Sequence, residues 1–579
     1  MTGQDQAPAP VPDQVPDQAP DQVPDQAPDQ VPDQAPDQVP DQAPDQAADQ
    51  APEPAAAGRT GKVCGAAEAV ALIEDHQAVA STGVIGWLTP DALLAALGER
   101  FAATGAPREL TFYFPCATGD AVGIGGMDHV ARKGLMRRIV SASFINPRHP
   151  VTGARPALTE LIQNDLVEAY SWPMGAAMHW LREVARRGPG YLTRVGLGTY
   201  ADPRHGGGRF TRLAQEDLVE LVELGGEEYL FYPSWPLHAG LVRASAADPD
   251  GNLSFEDQPL FSSALAIALA VKACGGTVIA QVSRIVPAGS SPAREMRVPG
   301  ALVDRVVVVP DAPMTTGVRH DPGYLRHVPD AVARVPRLPS GPDKVIARRV
   351  AREVRPGETS IFGFGASSDA VLAMAEDGLL DDGRLDEHLF TTEHGSFGGI
   401  VMSGWQFSAN YSPRALLDGP SQFDFIDGGG CPFAALAFAQ IDAEGNVNVS
   451  RFGAANPGAG GFVDIAHNAT RLVFAGTLTT DGLRVSCADG GLRILAEGRV
   501  RKLVPRAGHV TYRLGEGVRR GQWARVVTER AVFDVTAGGL ELVELAPGVD
   551  LRRDVLDQIG FPVRVSPSLV PMDPALFRP

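Results

Sequence analysis

One pattern restricts the possible folds of this chain more than any other: a buried strand, a glycine-rich turn and a helix follow one another, twice. Residues 78–101, AVASTGVIGWLTPDALLAALGERF, join an apolar segment to Gly83, Gly86 and an amphipathic pattern. Residues 359–377 repeat this order with TSIF, a GFG turn and a second helical pattern. Strands that alternate with helices are typical of open, mostly parallel α/β sheets flanked by helices. We therefore predict two similar α/β domains.

The rest of the chain fits this division into two parts. Apolar segments predict further strands in residues 191–210, 275–286, 301–310 and 423–426, and helical patterns occupy residues 66–78, 344–353 and 370–377. Beyond residue 311 the periodicity is lost and proline, glycine and charge increase, as in a linker. The predicted units are a tail at 1–60, a first domain at 61–315, a linker at 316–343 and a second domain at 344–579, whose last part (498–579) alternates like strands.

The N-terminal tail repeats a DQAP or DQVP unit every four residues. Proline at this spacing blocks helix and sheet, and the segment has little apolar surface to bury, so we predict a disordered spacer. Residues 1–57 contribute −12 of the formal charge of −18, which leaves −6 for the rest of the chain. This modest acidity gives no support for nucleic-acid binding.

The cysteines and the hydropathy indicate a cytoplasmic protein without metal. The five cysteines are widely separated and form neither a CxxC metal pattern nor a disulfide framework, so a reducing compartment is expected. The sequence contains no apolar stretch of about 18 residues and no basic-then-apolar signal, so we expect no membrane association.

A single carboxylate, Glu393, stands at the predicted carboxyl end of a strand. The segment FTTEHGSFGGI, residues 390–400, places it directly before Gly395, Gly398 and Gly399. The carboxyl ends of strands are where α/β sheets bind their ligands, and glycines let backbone amides approach them. The alternative interpretation is a glutamate that ends a strand and faces water.

The chain resembles the family I CoA-transferases, the acetate, propionate and 3-oxoacid CoA-transferases, in a single-chain form with both halves fused. The similarity extends from Lys62 to Pro567 and is closest to the short-chain acyl-CoA branch. Matching segments are VGLGTYADPRHGGG (195–208), VSRIVPAGS (282–290), RVPGALVD (297–304), TTEHGSFGG (391–399), PSQFDFIDGGG (420–430) and GNVNVSRFG (445–453).

The resemblance implies an enzyme that transfers CoA from a short-chain acyl-CoA to a free carboxylic acid through a glutamyl-CoA thioester. It implies no cofactor or metal, a homo-oligomer (dimer or tetramer), and a place in short-chain fatty acid or ketone-body metabolism. By position in the matching motifs, the implied site residues are Glu393 as nucleophile, Gly429 and Gly430 as oxyanion donors, Gly363, Phe364, Gly365, Ala366, Gly398 and Gly399 against CoA, and Gly83, Gly86 and Met174 around the acyl group.

Met174 and three histidines are further candidates for the site. Relatives commonly have Pro-Gln-Gly near the acyl site, whereas this chain has Met174 at the central position, which predicts a more apolar acyl pocket. His394, His205 and His129 are candidate acid–base groups, but the family's chemistry does not need them, so we interpret them as structural hydrogen-bonding residues.

Two other functions stay open at this stage. An acyl-CoA hydrolase on the same scaffold would discharge Glu393 with water, and a catalytically silent binding protein would use the repeat tail for interaction. The presence of Glu393 with its glycines argues against the second. Sugar-phosphate isomerisation would call for phosphate-site residues that the sequence lacks.

Overall fold

The computed structural model describes residues 61–120, 122–144 and 155–578, which belong to one compact unit, Gly58–Pro579. The predicted disordered tail, residues 1–60, lies outside the described residues. Helices and strands from the two halves of the chain contribute to one continuous buried cluster that includes Trp87, Trp172, Phe362 and Phe433. The predicted division into domains at 61–315 and 344–579 stays a prediction.

The first half is built on a seven-stranded sheet in which every neighbouring pair is parallel. In spatial order the strands are Arg305–Val308, Thr277–Val282, Ala239–Arg243, Ala78–Ser81, Leu110–Phe114, Met136–Ser141 and Glu168–Ser171. Most of their residues are buried, with apolar side chains on both faces, as expected for a parallel sheet covered by helices on both sides.

The second half is built on a ten-stranded mixed sheet whose five central strands run parallel. In spatial order the strands are Ala415–Leu416, Ser396–Phe397, Leu389–Thr391, Thr359–Phe362, Phe433–Ala437, Arg471–Ala475, Trp523–Val527, Ala531–Thr536, Gly539–Leu545 and Arg564–Pro571. The prediction of mostly parallel α/β sheets is therefore confirmed in both halves.

Short strands form smaller sheets beside these two. They are Gly190–Thr193, Glu220–Leu224 and Glu227–Pro233; Ala246–Ala247, Leu253–Ser254, Arg284–Ile285 and Met296–Val298; Ile400–Val401 and Asn410–Tyr411; Gln440–Asp442, Asn446–Asn448, Leu503–Val504 and Tyr512–Arg513; Thr479–Thr480 and Val500–Arg501; Arg484–Ala488 and Gly491–Ala496.

The α-helices cover the sheets and connect their strands. They are Ala66–Val70, Asp91–Thr104, Met127–Val130, Ala157–Gln163, Met174–Ala185, Ala264–Ala273, Ala331–Arg334, Pro342–Ala351, Asp369–Glu376, Gly419–Asp427, Phe462–Asn468 and Leu514–Arg519. The predicted helix at 66–78 ends at Val70, and the predicted linker contains the short helix Ala331–Arg334. None of the helices in the described part of the chain is long and apolar enough to span a membrane.

The predicted strand at Phe423–Ile426 is wrong, because these residues lie in the helix Gly419–Asp427. The side chain of Asp418 caps this helix by accepting a hydrogen bond from the amide of Ser421, and a proline stands in the first turn. Both features are typical helix starts. The apolar alternation of FDFI was outweighed by this start signal.

Candidate active site

Glu393 follows the strand Leu389–Thr391 at the carboxyl edge of the second sheet. That strand is next to Thr359–Phe362, which in turn is next to Phe433–Ala437. From Thr359–Phe362 the chain first adds the strand Leu389–Thr391 on one side and later adds Phe433–Ala437 on the other side. The strand order of the sheet therefore reverses at Thr359–Phe362. Open α/β sheets bind ligands at the carboxyl ends of strands where the order reverses.

The strand end that carries Glu393 is held by buried hydrogen bonds. The side-chain nitrogen Nε2 of Gln422 donates to the carbonyl oxygen of Thr392 at 2.8 Å, and the hydroxyl of Thr392 donates to the carbonyl oxygen of Ser408 at 2.8 Å. Gly395 closes the following turn with φ of +87°, and a Cβ there would lie 2.3 Å from a backbone oxygen of Leu417. The main chain on both sides of Glu393 is therefore fixed.

The carboxylate of Glu393 meets a backbone amide from a distant glycine run. The N–H of Gly461 donates to Oε2 of Glu393 at 3.1 Å, and the side chain of Glu393 is 15% exposed. A Cβ on Gly461 would lie 2.4 Å from the same oxygen, so the close approach needs glycine. This amide is preorganised to stabilise negative charge on a carboxyl oxygen.

The glycine run at residues 458–461 is positioned by the first half of the chain. The amides of Ala459 and Gly460 both donate to the carbonyl oxygen of Ala142, at 3.1 and 2.9 Å. The amide of Met174 donates in turn to the carbonyl oxygen of Gly460 at 3.0 Å. The donor facing Glu393 therefore depends on contacts between both halves.

A cavity of about 310 Å³ surrounds Glu393. Its wall is mostly apolar and is built from both halves, with Ile85, Phe364, Leu436, Phe438, Val449 and Phe462 among the lining residues. The polar side chains of Cys116, Ser143, His394 and Ser408 also line it. An apolar wall limits hydration of the carboxylate and strengthens its interactions with nearby dipoles.

Two ionisable groups near Glu393 have raised pKa values. Burial, with the charge of Glu393 as a further cause, raises the pKa of the Cys116 thiol well above its usual value. Burial and the nearby charge of Asp427 raise the pKa of the Asp464 carboxyl well above its usual value, even though the amide of Gly175 donates to it at 3.1 Å. Both effects limit further negative charge beside the carboxylate.

A larger cavity of about 610 Å³ adjoins the first, and Phe364, Phe452 and Pro457 line both. Arg155, Gln163 and Trp405 also line the larger cavity. Glu393 lines the smaller cavity and the guanidinium-bearing Arg155 lines the larger one, with aromatic side chains shared between them. The shape and charge of the two cavities together suit a long anionic ligand with an apolar end.

The predicted CoA-binding residues fall into two groups. Gly363 and Phe364 line the Glu393 cavity, and Gly365 and Ala366 continue the same turn just beyond the described lining. Gly398 and Gly399 do not line it. A Cβ on Gly398 would meet the side chain of Arg414 at 2.9 Å, and one on Gly399 would meet a backbone oxygen of Tyr411 at 2.2 Å. These two glycines permit close packing, and their assignment to CoA stays a prediction.

The predicted oxyanion donors Gly429 and Gly430 are not near Glu393. The side chain of Gln422 contacts Thr392, and from Gln422 the helix Gly419–Asp427 continues for five more residues, about 8 Å, before the glycines. Both glycines precede the strand Phe433–Ala437 and therefore lie at the amino edge of a parallel sheet whose carboxyl edge bears Glu393. Gly461 takes the position expected of them.

The predicted acyl-pocket residues are close to the cavity but do not line it as described. A Cβ on Gly83 would lie 2.3 Å from Thr118 and one on Gly86 would lie 2.2 Å from Thr315, so these glycines shape the loop that presents Ile85. Met174 is fully buried, and a Cβ on Gly460 would lie 3.8 Å from its terminal methyl and 3.7 Å from Oε1 of Glu393. It supports the glycine run and does not form the exposed wall.

The three candidate histidines have different surroundings. His129 contacts the carboxylate of Asp91 at 3.1 Å, which fits a structural role, and His205 is exposed on the surface. His394 lines the Glu393 cavity and is 1% exposed. The sequence interpretation also missed Gly460, Gly461 and Cys116. The GAGG run before an apolar helical pattern was a usable signal for the two glycines.

Comparison with known proteins gives consistent results. The coenzyme A transferase family model matches residues 64–309. Acetate CoA-transferase YdiF of Escherichia coli O157:H7 is 36% identical over 523 residues, which cover 89% of this chain and 95% of the relative. Caffeate CoA-transferase of Acetobacterium woodii is 37% identical over 526 residues, with 89% and 97% covered.

Solved structures agree with the sequence relatives. The acyl-CoA transferase YdiF apoenzyme from Escherichia coli O157:H7 superposes with a TM-score of 0.81 at 35% identity, over 91% of this chain and 98% of that one. The thioester complex of the same enzyme with CoA gives a TM-score of 0.80 at 34% identity, over 90% and 96%. The chain therefore belongs to the coenzyme A transferase family and is an enzyme of the single-chain, fused CoA-transferase type.

Proposed function

We propose that this enzyme moves CoA from a short-chain acyl-CoA to a free carboxylic acid, with Glu393 as the covalent nucleophile in a ping-pong mechanism. The observation that carries the proposal is the placement of the Glu393 carboxylate in an apolar cavity with the Gly461 amide on one oxygen. The opposite oxygen, Oε1, is then the nucleophilic atom. The chain's similarity to an enzyme solved as a thioester complex with CoA supports a covalent route.

The first half-reaction consists of two attacks. Oε1 of Glu393 adds to the thioester carbonyl, and the carbon–sulfur bond breaks to give an acyl-glutamyl anhydride and CoA thiolate. The thiolate then attacks the glutamyl carbonyl, and the first acid leaves as a carboxylate. Each intermediate is about as activated as the thioester, so the route needs neither ATP nor a metal, and it divides one difficult step into easier ones.

The Gly461 amide has a direct role in this sequence. When sulfur attacks the glutamyl carbon, negative charge develops on the remaining oxygen, Oε2, which the amide already contacts. One preorganised donor of this kind contributes about 3–4 kcal/mol to the transition state. Contacts from Ala142 and Met174 hold the glycine run in place, so little reorganisation is needed.

The two adjoining cavities support the assignment of substrates. Binding the long CoA arm along the larger cavity would hold the sulfur against Glu393 and raise its effective concentration. The smaller cavity, about 310 Å³, must accept the acyl group together with the end of that arm, which favours short acids. The relatives are named for acetate and for caffeate. We infer a small, mainly apolar acid for this chain.

Mass spectrometry tests the proposal directly. Incubation with acetyl-, propionyl- or butyryl-CoA and no acceptor should yield a CoA adduct on the peptide that contains Glu393. A crossed panel of these thioesters and free acids then defines the substrates, and CoA release without any acid would indicate hydrolysis. The absence of an adduct with every thioester in the panel would contradict the covalent mechanism. The homo-oligomer and the cytoplasmic location stay predictions.

A further inference from the structure

The imidazole of His394 has no short hydrogen bond, although it is almost completely buried. Nε2 lies 3.5 Å from Oε1 of Glu393 and 3.7 Å from Sγ of Cys116, and Nδ1 has no hydrogen-bond partner among the described residues. Normal nitrogen–oxygen hydrogen bonds are about 2.7–3.2 Å long. A buried polar group without good partners costs stability and calls for an explanation. The structural role predicted for His394 therefore accounts for the long contact with Cys116 but not for the unpartnered Nδ1.

The ring edge of His394 faces the place where the CoA sulfur must react. The Gly461 amide contacts Oε2 of Glu393, so Oε1 is the oxygen that attacks the thioester. In that attack Oε1 bonds to the carbon that carries the sulfur, so the sulfur leaves from a point beside Oε1, the oxygen that Nε2 faces. His394 and Glu393 also line the same cavity.

The neighbouring thiol shows that this edge of the imidazole accepts a sulfur atom. Sγ of Cys116 lies at 3.7 Å, within the range of a hydrogen bond that involves sulfur. Burial and the charge of Glu393 raise the pKa of Cys116, so the group stays a thiol and does not compete as a thiolate. With the proton on Nε2, the N–H can donate to the CoA thiolate in place of the Cys116 thiol, because a charged acceptor attracts a donor more strongly than a neutral one does.

We propose that His394 is a second catalytic residue of this site, whose Nε2–H donates a hydrogen bond to the CoA sulfur while that sulfur is a thiolate. The inference rests on the proposed glutamyl-CoA mechanism. When the acyl carbon–sulfur bond breaks, its electron pair stays on sulfur, and the imidazole stabilises that charge until the sulfur attacks the glutamyl carbon. The histidine transfers no proton.

Three substitutions of His394 test the position of the donor. In His394→Gln the side-chain amide nitrogen reaches about as far as Nε2, whereas in His394→Asn it reaches only as far as Nδ1, and His394→Leu has no donor. We expect glutamyl-CoA formation from acyl-CoA in a single turnover to slow by on the order of 100-fold in the Asn and Leu variants, as for the loss of one preorganised donor. The single-turnover rate of the Gln variant should stay within about threefold of that of the wild type, because its side-chain nitrogen keeps a donor at the position of Nε2.

Binding and fold are measured in parallel. The Kd for CoA should change little in all three variants, because the thiolate exists only during the reaction. His129→Gln is the matched control, since that histidine contacts Asp91 outside the cavity, and it should leave the single-turnover rate unchanged.

Wild-type rates in both the Asn and Leu variants would overturn the role of His394 while leaving the Glu393 adduct intact. Equal slowing in all three variants of His394 would also overturn the role, because the loss would then follow from removal of the imidazole ring and not from removal of the donor. No adduct in the wild type would instead contradict the underlying mechanism.

Discussion

The backbone amide of Gly461 donates a hydrogen bond of 3.1 Å to Oε2 of Glu393, although the two residues are 68 positions apart in the chain. Glu393 is held by the strand before it, and Gly461 is held through Gly460 by Ala142 and Met174 of the first half. The nucleophile and its amide donor therefore approach correctly only when the two halves of the chain are packed together.

Glu393→Gln should bind CoA but lose transfer activity by several orders of magnitude, because a neutral amide is not a competent nucleophile. Glu393→Asp should also fail, since removing one methylene displaces the oxygen by about 1 Å, enough to cost on the order of 100-fold. Activity is measured as CoA transfer between two acids, and the adduct by peptide mass mapping. Full transfer by deamidation-free Glu393→Gln protein would refute the nucleophile assignment.

Gly461→Ala should reduce kcat by about 100-fold or more, since the new Cβ would lie 2.4 Å from Oε2 of Glu393 and displace the carboxylate from the amide. Gly429→Ala is the comparison variant, because a Cβ there meets no atom within 4 Å. Its positive φ of 81° should lower stability by roughly 1 kcal/mol without affecting transfer. A larger loss of activity in the Gly429 variant would restore the original oxyanion assignment.

Met174→Gln should shift the preference from apolar acids of butyrate size toward smaller or more polar acids such as acetate or acetoacetate. The side chain is buried, and its terminal methyl and Oε1 of Glu393 lie close to the same point beside Gly460, so an amide at this position changes the polarity close to the reacting carboxyl group. The ratio of kcat/KM for the two types of acid is the measurement. Met174→Leu, which stays apolar, should keep the wild-type ratio, and an identical ratio in all three proteins would exclude an influence on specificity.

Low pH should destabilise the contact between His509 and the first half. Burial, with Arg451 as a further cause, lowers the pKa of His509 from 6.5 to about 4, and its ring packs against that of Tyr200 with the centroids 4.9 Å apart. Between these two pH values the unfolded chain binds a proton that the folded chain does not, so stability falls as the pH falls. The total loss is about 3 kcal/mol for a shift of this size.

The thermal midpoint at pH 7.5 and pH 5 measures this effect. His509→Asn keeps a side-chain nitrogen near Ser450, which Nδ1 now contacts at 2.9 Å, and it should show a smaller acid-induced decrease than the wild type. His205→Asn changes an exposed histidine and should behave like the wild type. Equal pH dependence of all three proteins would argue against His509.

Deletion of residues 1–57 should leave turnover and the thermal midpoint nearly unchanged. The DQAP and DQVP repeats have little apolar surface to bury against the enzyme. Steady-state kinetics and calorimetry of the truncated and full-length proteins provide the comparison. A large decrease in either quantity would show that the tail contributes to the enzyme.

Most elements with strong local signals were predictable. The apolar runs at 275–286 and 301–310 contain the strands Thr277–Val282 and Arg305–Val308, and the helix predicted near Pro90 begins at Asp91. Phe423–Ile426 was mispredicted because a short apolar run fits either period, and only the cap at Asp418 decides for a helix.

The sequence by itself determined the α/β class, the repetition of its strand–glycine–helix unit and the position of Glu393 at a strand end, because these depend on residues that are neighbours in the chain. Only the tertiary structure decided which glycines face the carboxylate. Glycine runs look alike in sequence, but Gly429 follows a helix that leads away from Glu393, whereas Gly461 is held beside it by the first half. The buried ring of His394 was likewise visible only after folding, since a missing hydrogen-bond partner is a property of the packed cavity and not of the segment.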